Sequence, residues 1–423
     1  MLENERAKIM SADLFNSTTG SIPPVRRDLQ IIPVEEDGRE LLLFYDSMKI
    51  ISPGFALHRS VEPILSLIDG RKTLHELMSY MGSNVKEEDI LSFIRLLDEQ
   101  LILNSPYFRL RSEQIEQSFE SDYIRPPALV NSSYPADPAE LSAFVDNLFE
   151  EASHSAHGTA GQNPGPQKAL YAPHIDLRVG ARQYAEAFST LKSLKPSRVV
   201  ILATSHYSGY YPSVYDGFPY IGSSKSFKIP GRTFKPHTES IEMLAGRGDD
   251  LGFTIQDRAH RIEHSIETHL LFAGQIWAHD FEIVPILVGG IDELFYKEDG
   301  SLGKKVAAFT SKLRSMDTDD TFYLISGDLS HIGKKFGDSV PAAAMREEVE
   351  TFDQKFMKAA AENNSSLMMS HISADYDPFR VCGFPPLYTF MQSFPDLKGH
   401  SINYHWWDEK ERESAVSFGS IAY

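Results

Sequence analysis

The sequence predicts an α/β protein: a mixed, largely parallel sheet flanked by helices, preceded by a small winged-helix-like α+β unit. Two observations carry this. From residue 168 onward, β-rich apolar runs alternate with helical patterns, as in a sheet covered on both faces. Before residue 110, three short helical patterns follow a strand-like run, enough for a compact unit with a core of its own.

Taken in order, residues 1–25 are polar, with Asn16 to Ser21 and Pro23-Pro24, and read as a flexible tail. The first unit spans 26–110. It opens with the strand "RELLLFYD" (39–46), followed by helical "VEPILSLID" (61–69), "TLHELMSYMG" (73–82) and "KEEDILSFIRLLDEQLIL" (86–103). In the last, Ile90, Phe93, Ile94, Leu97 and Leu101 recur at helical spacing, and Glu87, Glu88 and Asp89 favour the first turn through the helix dipole. Residues 111–129 are charged, contain Pro126-Pro127, and read as a linker to a larger domain, 130–423. A Gly-, Ser- and Pro-rich loop at 153–167 carries His154 and His157, which read as solvated. Strands follow at 168–172, 197–204, 281–289 and 321–326, with helices such as "GARQYAEAFSTLKSL" and "SIETHLLFAGQIW" between them.

The chain has 423 residues, of which 42% are hydrophobic and 24% charged, the balance of a soluble globular protein. A formal charge of −18 repels phosphate backbones and anionic lipid, so nucleic acid and membrane surfaces are poor partners. No apolar run reaches the ~20 residues that span a bilayer. The N-terminus lacks the basic and apolar regions of a secretory signal, and one cysteine, Cys382, excludes an internal disulfide. A cytoplasmic location is expected.

The chemistry collects where strands end. "KALYA" runs into Pro173-His174, "SRVVILAT" into Ser205-His206, and "TFYLIS" into Gly327, Asp328 and His331. Carboxyl ends of strands are where open α/β sheets build their sites. One such histidine reads as structural. Three on one sheet edge point to a shared metal, and Cys382, in "RVCGFPP", offers a thiolate to complete the ligand set.

A second pattern competes. "HRIEH" places His260, Glu263 and His264 in the H-x-x-E-H spacing of zinc peptidases. That reading needs one helix across all three, whereas the apolar periodicity starts a helix near Glu263 and leaves His260 in a loop. Glu263 and His264 are therefore assigned to the wall of the strand-end cleft as acid/base or orienting groups. Tyr207, Tyr210 and Tyr211, after His206, read as loop packing. There is no GxGxxG, Walker A or G-x-S-x-G pattern, so nucleotide and serine-hydrolase readings lack their usual support.

Across about 130–423 the sequence resembles the Memo family, also called AmmeMemoRadiSam system protein B, in "SSYPADPAELSAFVDNLFEEA", "APHID", "ILATSHY", "DRAHRIEHSIETHLLF", "LISGDLSHIGKKFGD" and "VCGFPPLYTF". The resemblance implies a fold similar to class III extradiol dioxygenases. It also implies a metal site at His174, His206 and Cys382, with Asp328 and His331 beside it. Family members commonly read Pro-His-Ala-Gly-Tyr where this chain has Ile175, Asp176 and Leu177 after His174, which alters the cleft wall. Residues 26–108 are similar to PqqD-type peptide-recognition domains, which bind a peptide along a strand edge. That implies a peptide or protein substrate and a radical S-adenosylmethionine partner.

The expected function is a metal-dependent oxidoreductase or oxygenase-like enzyme. Iron is the expected ion, with copper or zinc as alternatives. His174, His206 and Cys382 would hold it, His331 would shuttle a proton with Asp328 orienting, and Glu263 and His264 would form a second polar wall. Rival readings are a non-catalytic metal-binding scaffold, a zinc peptidase through His260, Glu263 and His264, and a Cys382 nucleophile with His331 as base.

Overall fold

The computed structural model describes residues 13–81, 85–155 and 167–423, without the side chains of 154 and 155. His157, the side chain of His154 and residues 1–12 of the expected tail lie outside the described residues. The chain divides into two compact units, Met1–Ser121 and Asp122–Tyr423.

In the first unit, β1 (Leu29–Glu36), β2 (Arg39–Asp46) and β3 (Ala56–His58) form an antiparallel sheet in that order. Helices Glu62–Leu67, Leu74–Met78 and Glu87–Glu99 lie where the periodicity puts them. Thr73 and Glu76 close a capping box on the second, satisfying two otherwise orphaned amides.

Two expectations need correcting. Residues 13–25 are not a free tail. Ile22 is buried in the core of this unit, its amide donates to the Lys72 carbonyl (2.8 Å), and the Val25 amide donates to that of Ile68 (3.2 Å). One apolar side chain with a place in the core outweighs the polar residues around it. Nor is 111–129 a linker. Residues up to 121 continue the helix Pro106–Ser121, where Phe108, Ser112, Ile115 and Phe119 recur on the less exposed face. The rest joins the second unit through β4 (Ile124–Arg125), which pairs in parallel with Ser226 and Phe227.

Twelve strands among the described residues build the second unit's sheet. After β4 come β5 (Ala169–Ala172), β6 (Arg198–Thr204), β7 (Tyr220–Gly222), β8 (Ser226–Ile229), β9 (Arg232–Pro236), β10 (Phe253–Thr254), β11 (Glu282–Val288), β12 (Thr321–Ser326), β13 (His331–Gly333), β14 (His400–Glu409) and β15 (Ser414–Ala422). The centre, β5-β12-β6-β11, is parallel throughout. β15 joins antiparallel beside β5, and β13 and β14 pair antiparallel with β15. The fold class read from the sequence is the one observed.

Alternation explains why these runs are apolar along their whole length. Tyr171, Leu202, Ile286 and Ile325 enter one core, and Leu170, Ile201, Leu287 and Leu324 the other. The helix after β5, Leu177–Ser189, packs on the second face, whereas those after β12, such as Arg346–Ala361, pack on the first. Neighbouring strands thus send their connections to opposite faces, which opens a crevice at the carboxyl ends of β5 and β12.

A buried carboxylate ties the loop after β12 to this frame. Asp353 accepts hydrogen bonds from the hydroxyls of Ser330 (2.7 Å), Ser417 (2.5 Å) and Tyr404 (2.9 Å). Burial nevertheless raises its carboxyl to about 6 from the ordinary 3.8. The native state therefore holds this proton more tightly than the unfolded chain, so Asp353 lowers stability as pH rises from about 4 to about 6, by an amount on the order of 3 kcal/mol. Asp353→Asn removes that dependence. In urea titrations, stability of the variant minus that of wild type should climb between pH 4 and 7, and a flat difference would show that Asp353 is ionised throughout.

Candidate metal centre

β5 ends at Ala172, and the turn that starts at Pro173 is fixed from behind by His269. Its Nε2 lies 2.9 Å from the Pro173 carbonyl and 3.3 Å from that of Ala172. Carbonyls only accept, so Nε2 carries the proton, and burial lowers this imidazole to about 4. The turn delivers His174, whose amide and that of Ile175 donate to Asp328 Oδ1 (3.0 and 3.2 Å).

The protonation pattern of His174 follows from its partners. The Ser326 hydroxyl donates to the Ser265 carbonyl (2.7 Å), so toward His174 Nδ1 (3.2 Å) it can only accept. His174 therefore carries its proton on Nδ1 and a lone pair on Nε2, which faces Cys382 Sγ at 3.3 Å and Asp328 Oδ2 at 3.6 Å. Burial, then the neighbouring His206 and His264, hold this imidazole well below its ordinary pKa, so it is neutral.

His206, two residues past β6, is oriented the same way. Glu263 accepts its amide through Oε2 (2.8 Å) and its Nδ1 proton through Oε1 (2.9 Å), so Nε2 is the ring nitrogen that Glu263 leaves unengaged. Burial pushes the Glu263 carboxyl up. The His206 and His264 imidazoles and their hydrogen bonds outweigh burial and hold it well below the usual range. Oε1 also takes the amides of His264 (2.9 Å) and Ser265 (3.2 Å), at the start of the helix Ser265–Ile276. The rings of His174, His206 and His264 lie 4.8 to 5.3 Å apart between centroids.

Cys382 arrives from the other side of the crevice. Thr204, at the end of β6, donates to its carbonyl (2.7 Å), the Asp328 amide points at its sulfur (3.3 Å), and the Gly383 amide donates to the Asp328 carbonyl (2.9 Å). Burial, then the Asp328 carboxylate, pushes the thiol well above its ordinary pKa. Asp328 itself is raised to about 7 by burial, against the pull of the two amides and His206. His331 Nδ1 lies near the carbonyls of Arg380 (3.0 Å) and Leu329 (3.1 Å), and burial lowers it to about 4.

The crevice thus gathers His174, His206, Cys382, Asp328, His331, Glu263 and His264. Ligand atoms of His174, His206 and Cys382 lie within 4.8 Å of one another, as do those of His206, Glu263 and His264, and of Asp328, His331 and Cys382. The first set fits a metal ion. In both imidazoles Nδ1 is engaged away from the cluster, by Ser326 and by Glu263, which leaves Nε2 as the nitrogen available to a cation, and a thiol that burial keeps protonated gains most from a cation that stabilises its thiolate.

His260 is not part of this. It sits on the turn Arg258–His260, ahead of the helix, with Nε2 directed at the Ile221 carbonyl (2.9 Å) and its ring against Phe227, and it joins none of these groups among the described residues. The Cys382 sulfur makes its polar contacts with His174 and Asp328 and none with His331, which leaves a Cys382–His331 nucleophile pair without its hydrogen bond.

Several supporting residues were not singled out by the sequence reading. Arg125 pairs with Glu267 in the interior and donates to the carbonyls of His260 (3.1 Å) and Glu263, fixing the backbone that carries Glu263. Glu267 also accepts from the amides of Ala128 (2.7 Å) and Leu129 (2.9 Å) and the Tyr134 hydroxyl (2.5 Å). Its spacing one turn beyond Glu263 was the available signal. For Arg125, within a charged stretch, there was none.

No helix of the described residues is long and apolar enough to cross a membrane. The family profile described as Memo-like protein matches residues 125–422. Among relatives, a MEMO1 family protein of Aquifex aeolicus is 25% identical over 369 residues, covering 85% of this chain and 90% of its own. A MEMO1 family protein of Thermus thermophilus is 22% identical, covering 82% and 96%. Protein MEMO1 of Xenopus laevis is 24% identical, covering 64% and 84%. The profile takes in the sheet from Arg125 onward and every residue of the crevice, and on that match the chain belongs to the Memo-like protein family.

Proposed function

We propose that the crevice is a metal centre held by His174, His206 and Cys382 and that it serves an oxidoreductase or oxygenase-like reaction, with iron as the ion. The observation that carries this reading is the paired orientation of the two imidazoles, each with Nδ1 engaged, by Ser326 and Glu263, and Nε2 left free. A bound iron would supply one-electron chemistry. Around it, Glu263 and Ser326 would orient the two rings, Asp328 would hold the His174 backbone and the approach of Cys382, and His331 would take or give a proton.

The proposal extends to a peptide or protein substrate and a radical S-adenosylmethionine partner, in the cytoplasm. Its support is the PqqD-like pattern of residues 26–108. The first unit's sheet, with β1 at its edge, and a groove of about 340 Å³ lined by residues such as Ile64, Leu67, Tyr80 and Phe93 are compatible with it.

The test is elemental analysis of protein purified without oxygen or chelator, for wild type, His174→Ala, His206→Ala and Cys382→Ser. Near-stoichiometric iron in wild type, lost in all three variants, is expected. Copper or zinc lost in the same way would keep the site and change the chemistry. No metal in any sample would overturn the reading in favour of a scaffold.

A further inference from the structure

The segment that leads into Cys382 is held in an unusual backbone conformation. Tyr376, Asp377 and Arg380 have φ of 55°, 53° and 56°, the left-handed region that glycine occupies without strain. Strain of this kind persists where the surroundings enforce it. At Asp377 the enforcement is local, since both carboxylate oxygens accept the Val381 amide (3.0 Å each). At Arg380 it involves a residue of the crevice. Arg380 Nε donates to the His331 carbonyl (2.8 Å), and its guanidinium also pairs with Asp338 Oδ2 (2.5 Å), which accepts the Gly333 amide (2.7 Å) as well.

The contact is reciprocal. The His331 amide donates to the Phe379 carbonyl (2.7 Å), and His331 Nδ1 faces the carbonyls of Arg380 and Leu329. Two carbonyls at Nδ1 require the proton there, which leaves the lone pair on Nε2. A glycine at 380 would fit the backbone better but would supply neither the bond to His331 nor the tie to Asp338.

We infer that Arg380 is a positioning residue that locks His331 in the Nδ1–H tautomer, with Asp338 as its anchor, so that Nε2 is the nitrogen left to accept a proton. The functional value of this lock rests on the proton-handling role proposed for His331, but the tautomer itself does not depend on bound metal.

The experiment is nitrogen-15 NMR of the full chain, stripped of metal and labelled at histidine, with the His331 signals assigned through His331→Gln. Wild type at neutral pH should show a single Nδ1–H pattern. Arg380→Gly, which also relieves the backbone, should retain thermal stability yet give a mixture of both tautomers, with Arg380→Lys restoring part of the wild-type pattern. Asp338→Asn should shift it in the same direction and decides the matter if Arg380→Gly fails to fold. An unchanged Nδ1–H pattern in the folded variants would overturn the inference. Absence of metal from every sample, together with a lost tautomer lock, would sink the metal centre and leave this assignment standing.

Discussion

Arg125→Met is expected to destabilise the second unit by about 3–5 kcal/mol, the usual result of removing one partner of a buried ion pair. The variant leaves Glu267 in the interior with two amides and one hydroxyl but no cation. In wild type, burial pushes that carboxyl up, but Arg125, the Ala128 amide and the Tyr134 hydroxyl hold it below 4.5. Without Arg125 the carboxyl rises above its unfolded value, so the variant loses stability as pH increases through that range, whereas wild type loses the Glu267 contribution as pH falls. The defect should therefore be largest near neutrality and smaller in acid. Adding Glu267→Gln should recover part of the loss, since an amide can remain buried uncharged. Urea midpoints across pH 4–8 check all three points, and a defect independent of pH would mean that Glu267 is not the source of it.

The same pair shows where reading the sequence stops. Arg125 sits in a stretch whose composition is that of a solvated segment, and its partner is 142 positions away. Nothing local marks such a side chain as buried, because the burial is a property of the finished sheet. Ile22 and the hairpin of β14 and β15 carry equally weak local signals. β15 is wholly buried yet carries Ser414, Ser417 and Ser420, so its pattern lacks the unbroken apolar run that announces β5, β6, β11 and β12. Those four strands were legible because both of their faces enter a core. Their carboxyl ends were legible because polar residues stop the run abruptly. His260 is the converse case: its spacing from His264 suits a helix, but the helix starts only at Ser265.

Gly327→Ala should damage the crevice more than any single change of a ligand's neighbour, because two backbones meet there. A methyl group on Gly327 would lie 2.2 Å from the Gly383 Cα and 3.1 Å from its nitrogen, and main chain cannot rotate aside. One on Gly383 would lie 2.3 Å from the Tyr171 hydroxyl and 2.7 Å from the Asp328 carbonyl, so part of its obstruction is a removable side-chain atom. Both glycines are needed for space, not for φ. Their contact sets how closely Cys382 approaches Asp328 and His174, since Gly327 is tied to the Ala172 carbonyl (3.1 Å) and Gly383 to that of Asp328. Overpacking of this kind costs about 1–3 kcal/mol or more. Gly327→Ala is accordingly expected to lower thermal stability and to abolish retention of metal under conditions where wild type keeps it. Gly383→Ala should do so less severely, with Tyr171→Phe relieving the defect of Gly383→Ala and leaving that of Gly327→Ala untouched. If Tyr171→Phe rescued both variants equally, side-chain crowding and not the meeting of the two backbones would be what places Cys382.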